Sequence, residues 1–187
     1  EAAEGAVSAS TTSTYVRVRP DLRRCVSPIC GGYFVSRVNF STTKCADGSW
    51  ASECYVADID WSKTGLPAAQ SDALAPSLLV IRGEIGTKVW GSFGKLGQLK
   101  ASEAWTPGAS EVTGTGTFYR VEDNGIRCIK APCLSTDANK LNSTISRKLS
   151  SFDGAFGEKV GALVGSQKVV VEGTVHDLKG GGRALEV

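Results

Sequence analysis

"RRCVSPICGG", residues 23–32, sets two cysteines around a short proline-bearing loop, and "IRCIKAPCLS", residues 126–135, does the same thing 103 positions later. The interval between the cysteines is identical, and each loop carries an internal proline. Sliding the chain on itself by 103 extends the match. Arg17 falls on Arg120, Val18 on Val121, Arg24 on Arg127, Val26 on Ile129, Val38 on Leu141, Asn39 on Asn142 and Ser41 on Thr144. A second stretch matches at an offset of 90, where Leu79, Ile81, Gly83 and Ile85 fall on Val169, Val171, Gly173 and Val175. The chain therefore reads as one unit written twice. The first copy carries 13 extra residues between Asn39 and Leu79, an interval that includes "CADGSWASEC", residues 45–54.

Each copy has the same outline. "YVRV" (15–18) and "FYRV" (118–121) alternate β-branched or aromatic residues with charged ones, the period of a strand. The cysteine loop follows. Then come "YFVSRVN" (33–39) and "ANKLNSTISRKL" (138–149), both read as extended. "PAAQSDALAPS" (67–77) and "GEKVGALVGS" (157–166) are short helix candidates. "LLVIRGEI" and "KVVVEGTV" are strands with a glycine at the same place in each, the mark of a bulge, bend or close backbone approach. Glycine-rich turns ("GSFGKLG", "DLKGGG") lead to final strands "QLKASEAW" and "RALEV". The expected fold is mainly β with short helices, two tandem repeats of a small barrel- or sandwich-like unit stapled by disulfides. Its organisation would be a flexible tail at 1–14, a first β-repeat at 15–105 with a disulfide-loop insertion, a linker at 106–116 and a second repeat at 117–187.

Six cysteines in three local pairs suggest an oxidising compartment. Of the possible pairings, spacing favours Cys25–Cys30, Cys45–Cys54 and Cys128–Cys133. Each six-residue ring would fix the link between the first and second strands, and loop entropy gives it roughly 2 kcal/mol. The expected location is secreted, periplasmic or at the cell surface. There is no methionine, position 1 included, which suggests that a leading segment has been removed or left out. The longest apolar run, "LLVI" at 78–81, stops at Arg82, far short of a transmembrane segment.

At "RPDLRRCVSPICGGYFVSRVN", "CADGSWASECYVADIDW", "FGKLGQLKASEAW" and "GTFYRVEDNGIRCIKAPC" the chain resembles a bacterial family of secreted or lipoprotein-like proteins classed as a domain of unknown function. The resemblance runs over most of residues 15–142. It implies export and brings with it no activity and no catalytic residue.

The chemistry-bearing residues are few. Net charge is +2, although six cations (Arg17, Arg19, Arg23, Arg24, Arg37 and Lys44) face one acid, Asp21; an anion-facing patch is one reading and a solvated sheet face the preferred one, and no nucleic-acid motif appears. The single histidine, His176, has Asp177 as a neighbour but no serine in a nucleophile turn. Asp58 and Asp60 in "ADID" share a strand face about 7 Å apart, a spacing open to acid–base work or calcium, though a polar outer face explains it as well. Close cysteine pairs in an exported chain favour disulfides over zinc, and no phosphate-binding loop is present. No metal, cofactor or enzymatic activity is expected. Asn39 and Asn142 sit in glycosylation patterns, "NFS" and "NST", for which a structural strand end bonded to the following Ser or Thr is preferred.

Binding remains the expected role. Rigid rings lower the entropy cost of docking, so Ser27, Pro28 and Ile29 in the first and Lys130, Ala131 and Pro132 in the second are candidate contacts. In its sharpest form this predicts a protease inhibitor, with Lys130 suited to an acidic specificity pocket. Trp50, in the inserted loop, is a candidate contact for a protein or glycan partner. A hydrolase using Asp58 and Asp60 is the remaining alternative.

Overall fold

The computed structural model describes residues 13–108 and 112–187. The tail read at 1–14 lies outside them except for Ser13 and Thr14, and so do three residues of the linker.

In the first copy, β1 (Thr14–Pro20), β2 (Tyr33–Arg37), β5 (Cys54–Val56), β6 (Asp58–Asp60), β7 (Val80–Val89) and β8 (Lys95–Trp105) form one sheet in the order β5-β2-β1-β7-β8-β6. A small hairpin, β3 (Thr43–Lys44) with β4 (Trp50–Ala51), stands apart. The second copy repeats the sheet with β9 (Thr117–Asp123), β10 (Thr136–Lys140), β11 (Ser146–Leu149), β12 (Ser151–Asp153), β13 (Val169–Asp177) and β14 (Arg183–Glu186), ordered β11-β10-β9-β13-β14-β12. Short helices α1 (Ala68–Leu74) and α2 (Gly157–Val164) occupy the same place in each copy. The protein is mainly β, as its alternating pattern indicates.

Register explains the inserted length. Tyr33 pairs with Val56 and its counterpart Thr136 with Leu149, so the offset has fallen from 103 to 93 across the β3–β4 hairpin. It reaches 90 by the pairs Val16 with Ile81 and Tyr119 with Val171. The extended reading of 138–149 needs one correction. Residues 141–145 turn, closed by the Lys140 N–H donating to the Ile145 carbonyl at 2.9 Å, because no hairpin intervenes here.

Neither sheet is a closed barrel. Each rolls until one continuous stretch supplies both its edges. Residues 54–60 pair antiparallel with β2 through β5 and parallel with β8 through β6, and between them Ala57 N–H donates to Gly97 C=O at 2.8 Å. Ser150 N–H donates to Arg183 C=O in the same way in the second copy. Three meandering strands, a helix, two more strands and a parallel third–fifth pairing make the connectivity of the OB-fold, a partly open five-stranded Greek-key roll.

The two glycines at matching strand positions are there for close approach. A Cβ on Gly83 would lie 2.6 Å from the Lys100 carbonyl oxygen, and one on Gly173 would strike the Glu186 carbonyl oxygen. A bulge follows at Arg82/Gly83 in the first copy.

Three buried clusters form. Val16, Val35, Val56, Ile59, Trp61, Ile81 and Leu99 fill the first roll, and Val121, Leu149, Val160, Val171 and Leu185 fill the second. The third joins the copies: Tyr15, Val38, Leu79 and Val80 pack on Phe118, Leu141 and Val170. This is why "LLVI" and "VVV" read as unbroken apolar runs rather than alternating ones. Their inward residues face a roll and the intervening ones face the other copy.

The junction is also hydrogen-bonded. Asn39 Nδ2 donates to the carbonyls of Phe118 (2.9 Å) and Leu141 (3.0 Å), while Phe118 N–H donates to Asn39 Oδ1 (2.8 Å). Asn142 Nδ2 donates to Tyr15 (2.8 Å) and Val38 (3.0 Å), and Tyr15 N–H donates to Asn142 Oδ1 (2.8 Å). Each pair of partners is equivalent under the repeat. The structural reading of these asparagines needs correcting in one respect: they bond backbone of the opposite copy, not their own Ser41 or Thr144.

The linker is tied down where described. Glu172 is buried on β13, and its carboxylate accepts from the N–H groups of Thr113 (2.9 Å), Gly114 (3.0 Å) and Gly116 (2.5 Å) and from the Thr113 hydroxyl (2.9 Å). Burial alone would push its pKa up, but these donors, led by the backbone N–H groups of Gly114 and Gly116, bring it below the ordinary value.

Candidate functional site

All three disulfides join the cysteines paired by spacing, with Cα–Cα distances of 5.5, 5.3 and 5.5 Å in chain order, and no described cysteine is free. The first and third rings link β1 to β2 and β9 to β10, at the strand ends away from the junction between copies. The Ser27–Pro28 and Ala131–Pro132 peptide bonds are both cis. Spacing makes the two rings equal, but their surroundings make them different.

The first ring is held down. Pro28 is buried, and its carbonyl accepts the Tyr55 hydroxyl at 2.7 Å. Arg23 donates to the Ile29 carbonyl at 3.2 Å and grips Asp21, with Nε at 2.9 Å and Nη2 at 2.8 Å from its carboxylate oxygens. That bidentate grip holds the Asp21 carboxyl at about 2. Of the three residues read as contacts, Ser27 and Ile29 are exposed and Pro28 is not. Beside the ring, Arg23 lies over both Phe34 and Tyr55, and Arg19 covers Phe34 while pairing with Glu53. Of the basic run, Arg19 and Arg23 are thus engaged by ion pairs and aromatic faces.

The second ring projects. Ile129 is fully exposed at its tip, and Lys130, Ala131 and Pro132 are all exposed. Its base is nevertheless fixed. Asn124 Nδ2 donates to the Leu134 carbonyl (3.0 Å) and to Asp137 (2.9 Å), and Arg127 pairs with Asp123 at 2.8 Å. On its other side Pro132 sits over the β13–β14 turn, where Gly180, Gly181 and Gly182 all have positive φ. A Cβ on Gly182 would lie 2.9 Å from Pro132 Cβ. "KGGG" is therefore a seat for the ring.

Trp50 is 57 % exposed on β4, beside Phe40 at 45 %. The Arg37 guanidinium lies between them, 3.9 Å from the Phe40 ring centre and 5.4 Å from that of Trp50. Lys44 is the cross-strand partner of Trp50. Of this cluster, Trp50 stood out in sequence as a contact and Arg37 and Lys44 as members of the basic run, whereas Phe40 did not. The alternation around Arg37 gives no sign that the turn after β2 brings Phe40 back over it.

The residues considered for catalysis have structural partners. Asp58 accepts from Lys88 Nζ at 2.7 Å, and Asp60 caps the turn by accepting from Ser62 N–H at 2.9 Å. His176 Nε2 lies 2.9 Å from Asp153 Oδ2, while Asp177, its sequence neighbour, pairs with Arg183. The partner of the histidine comes from β12, which lies on the far side of β14 from β13. Among the described residues no three His, Cys, Asp or Glu side chains gather as a metal set, and no helix is long and apolar enough to cross a membrane.

No match was found among curated proteins or solved structures. The family of domain of unknown function DUF6748 matches residues 14–180, a span that takes in the first roll, both proline-bearing rings and the second roll through β13, and the chain belongs to that family.

Proposed function

We propose that this chain is an exported, non-catalytic binding protein that presents the Cys128–Cys133 ring to a protein partner. The observation that carries this reading is Ile129, a large apolar side chain fully exposed at the tip of a covalently closed loop with an anchored base. An apolar anchor on a rigid support docks with little entropy loss, which is how interface hot spots work. Connectivity adds a fold-level analogy: in OB-type rolls the loops joining strands one to two and four to five bind ligands. Here those loops are the ring and its glycine seat. Three disulfides support export. The ties on Asp58, Asp60 and His176 favour binding over hydrolysis.

Protease inhibition is the sharpest form of this reading, because Lys130 is exposed next to Ile129 and suits an acidic pocket. A panel of serine, cysteine and metalloproteases tests it at micromolar protein. Inhibition abolished by Lys130→Ala supports that form, and none across the panel removes it. Affinity capture from envelope fractions tests the broader reading. A partner retained by the wild type and lost with Ile129→Asp supports the ring as the contact; equal retention by both overturns it.

A further inference from the structure

The cluster around Arg37 is independent of that ring and exists in one copy only. The second copy has Lys140 in place of Arg37 and Ser143 in place of Phe40, and a tight turn in place of the hairpin that carries Lys44 and Trp50. Both copies fold into the same roll without a common requirement for these side chains, so the fold does not explain the cluster.

Its cations have no counter-ion. Neither Arg37 nor Lys44 takes part in an ion pair among the described residues. Arg37 Nε is buried without an acceptor, as are the Nε atoms of Arg82 and Arg120, so it is the outer amino groups of the guanidinium that can meet a ligand. Nearby acids are occupied elsewhere: Glu53 holds Arg19, and Asp47 accepts the Ser49 hydroxyl and N–H at 2.6 and 2.9 Å. Meanwhile Phe40 and Trp50 keep much of their surface in water although each lies beside the guanidinium. The Cys45–Cys54 disulfide fixes the hairpin to β5 and the Arg37 N–H to Thr43 Oγ1 bond (2.8 Å) fixes it to β2, so the arrangement is preformed.

From this geometry we infer that Arg37, Phe40, Lys44 and Trp50 form a binding site for an acidic saccharide, a sugar chain bearing carboxylates. Two cations without partners call for an anion. Two exposed aromatic rings on an open surface call for a ligand with a flat apolar face and a wet rim. A hexuronate unit has both: its C–H face stacks on an indole while its carboxylate meets guanidinium or ammonium and its hydroxyls stay hydrated. Arg37 is the fork that pairs with a carboxylate through two N–H groups, and Lys44 supplies a second point charge across the hairpin.

Oligogalacturonate, with the matching neutral oligogalactoside as control, is the probe, and calorimetry on the intact protein is the readout. Binding is expected to oligogalacturonate only, weakened by salt and reduced about tenfold or more by Trp50→Ala and by Lys44→Gln. Both side chains are exposed, so the variants retain the fold, and Ile129→Asp leaves this affinity unchanged, which separates the site from the ring. Three results overturn the inference: no binding at millimolar probe, equal binding of the neutral control, or affinity that survives Trp50→Ala. Preference for a carboxylate-bearing peptide over the saccharide overturns the ligand class.

Discussion

Asn39 and Asn142 each place one carboxamide against the backbone of the other copy, Asn39 between Phe118 and Leu141 and Asn142 between Tyr15 and Val38. The carboxamide serves as a peptide surrogate. Its Oδ1 takes the N–H, and its Nδ2 gives to the C=O, of the residue (Phe118 or Tyr15) where β9 or β1 runs past the end of β10 or β2 while staying paired with β13 or β7 on its other side. Both asparagines have positive φ, 66° and 58°, the turn that points the side chain outward from its own β2 or β10 end. Asparagine is among the few side-chain residues that visit this conformation and can also do the bonding.

The two roles of Asn39 can be separated by substitution. Asn39→Gly keeps the positive φ and loses three hydrogen bonds, stranding the Phe118 N–H, at a cost of about 2–4 kcal/mol. Asn39→Ala loses the same bonds and adds backbone strain, about 1 kcal/mol more. Urea unfolding of both variants checks the order. Equal stability for all three proteins would remove the junction as a stabilising element.

Both asparagines satisfy the glycosylation pattern, yet each Nδ2 donates to two carbonyls of the other copy. A glycan would replace one of those hydrogens. Folded protein from a eukaryotic secretory host is therefore expected to carry no glycan at either position, and intact mass measures this directly.

Glu172 gives a pH dependence of known sign. Its folded pKa lies below the ordinary glutamate value, so its contribution to stability is complete above that value and is lost as pH falls through the folded pKa. Glu172→Gln puts an amide where several N–H donors converge and costs about 2–4 kcal/mol at neutral pH. The gap between wild type and variant should narrow on acidification. Denaturant midpoints across the acid range test this, and a gap constant down to the lowest pH would contradict the linkage.

Gly83 and Gly86 lie on the same strand with opposite surroundings. A methyl group at Gly83 meets the Lys100 carbonyl oxygen, whereas nothing lies within 4 Å of one at Gly86. Gly83→Ala is expected to destabilise by about 1–3 kcal/mol. Gly86→Ala should be neutral or stabilising by about 0.5 kcal/mol. Thermal melts of the pair decide it, and equal melting temperatures would disprove the close approach.

Replacing Cys128 and Cys133 by serine opens the projecting ring without touching the buried cluster of the second roll. Loop entropy predicts a loss of about 2 kcal/mol with the fold intact. Circular dichroism and denaturant unfolding read both quantities, and loss of the β-spectrum would show that the ring holds up the roll itself.

Local chemistry was plain in the residues. Period-two alternation marked β1 and β9, equal cysteine spacing marked the rings, and a glycine in each long strand marked a close contact later found at Gly83 and Gly173. These signals act between neighbours in the chain or force a residue type at one position. The candidate site was legible only in outline, because "CVSPIC" and "CIKAPC" look alike. What differs lies far from them in sequence: Tyr55 fastens the first, and Gly182 seats the second.

By itself the sequence determined the duplicated unit, the pairing of its cysteines and the strands that alternate. Only the tertiary structure decided that residues 54–60 edge the sheet on both sides, that Asp153 rather than Asp177 meets His176, that Glu172 gathers the linker, and that Asn39 and Asn142 clasp opposite copies. The physical reason is common to all of these. Each is a contact between distant segments, set by how rolled sheets bring backbone groups together, and one residue carries no mark of the partner it will meet across the fold.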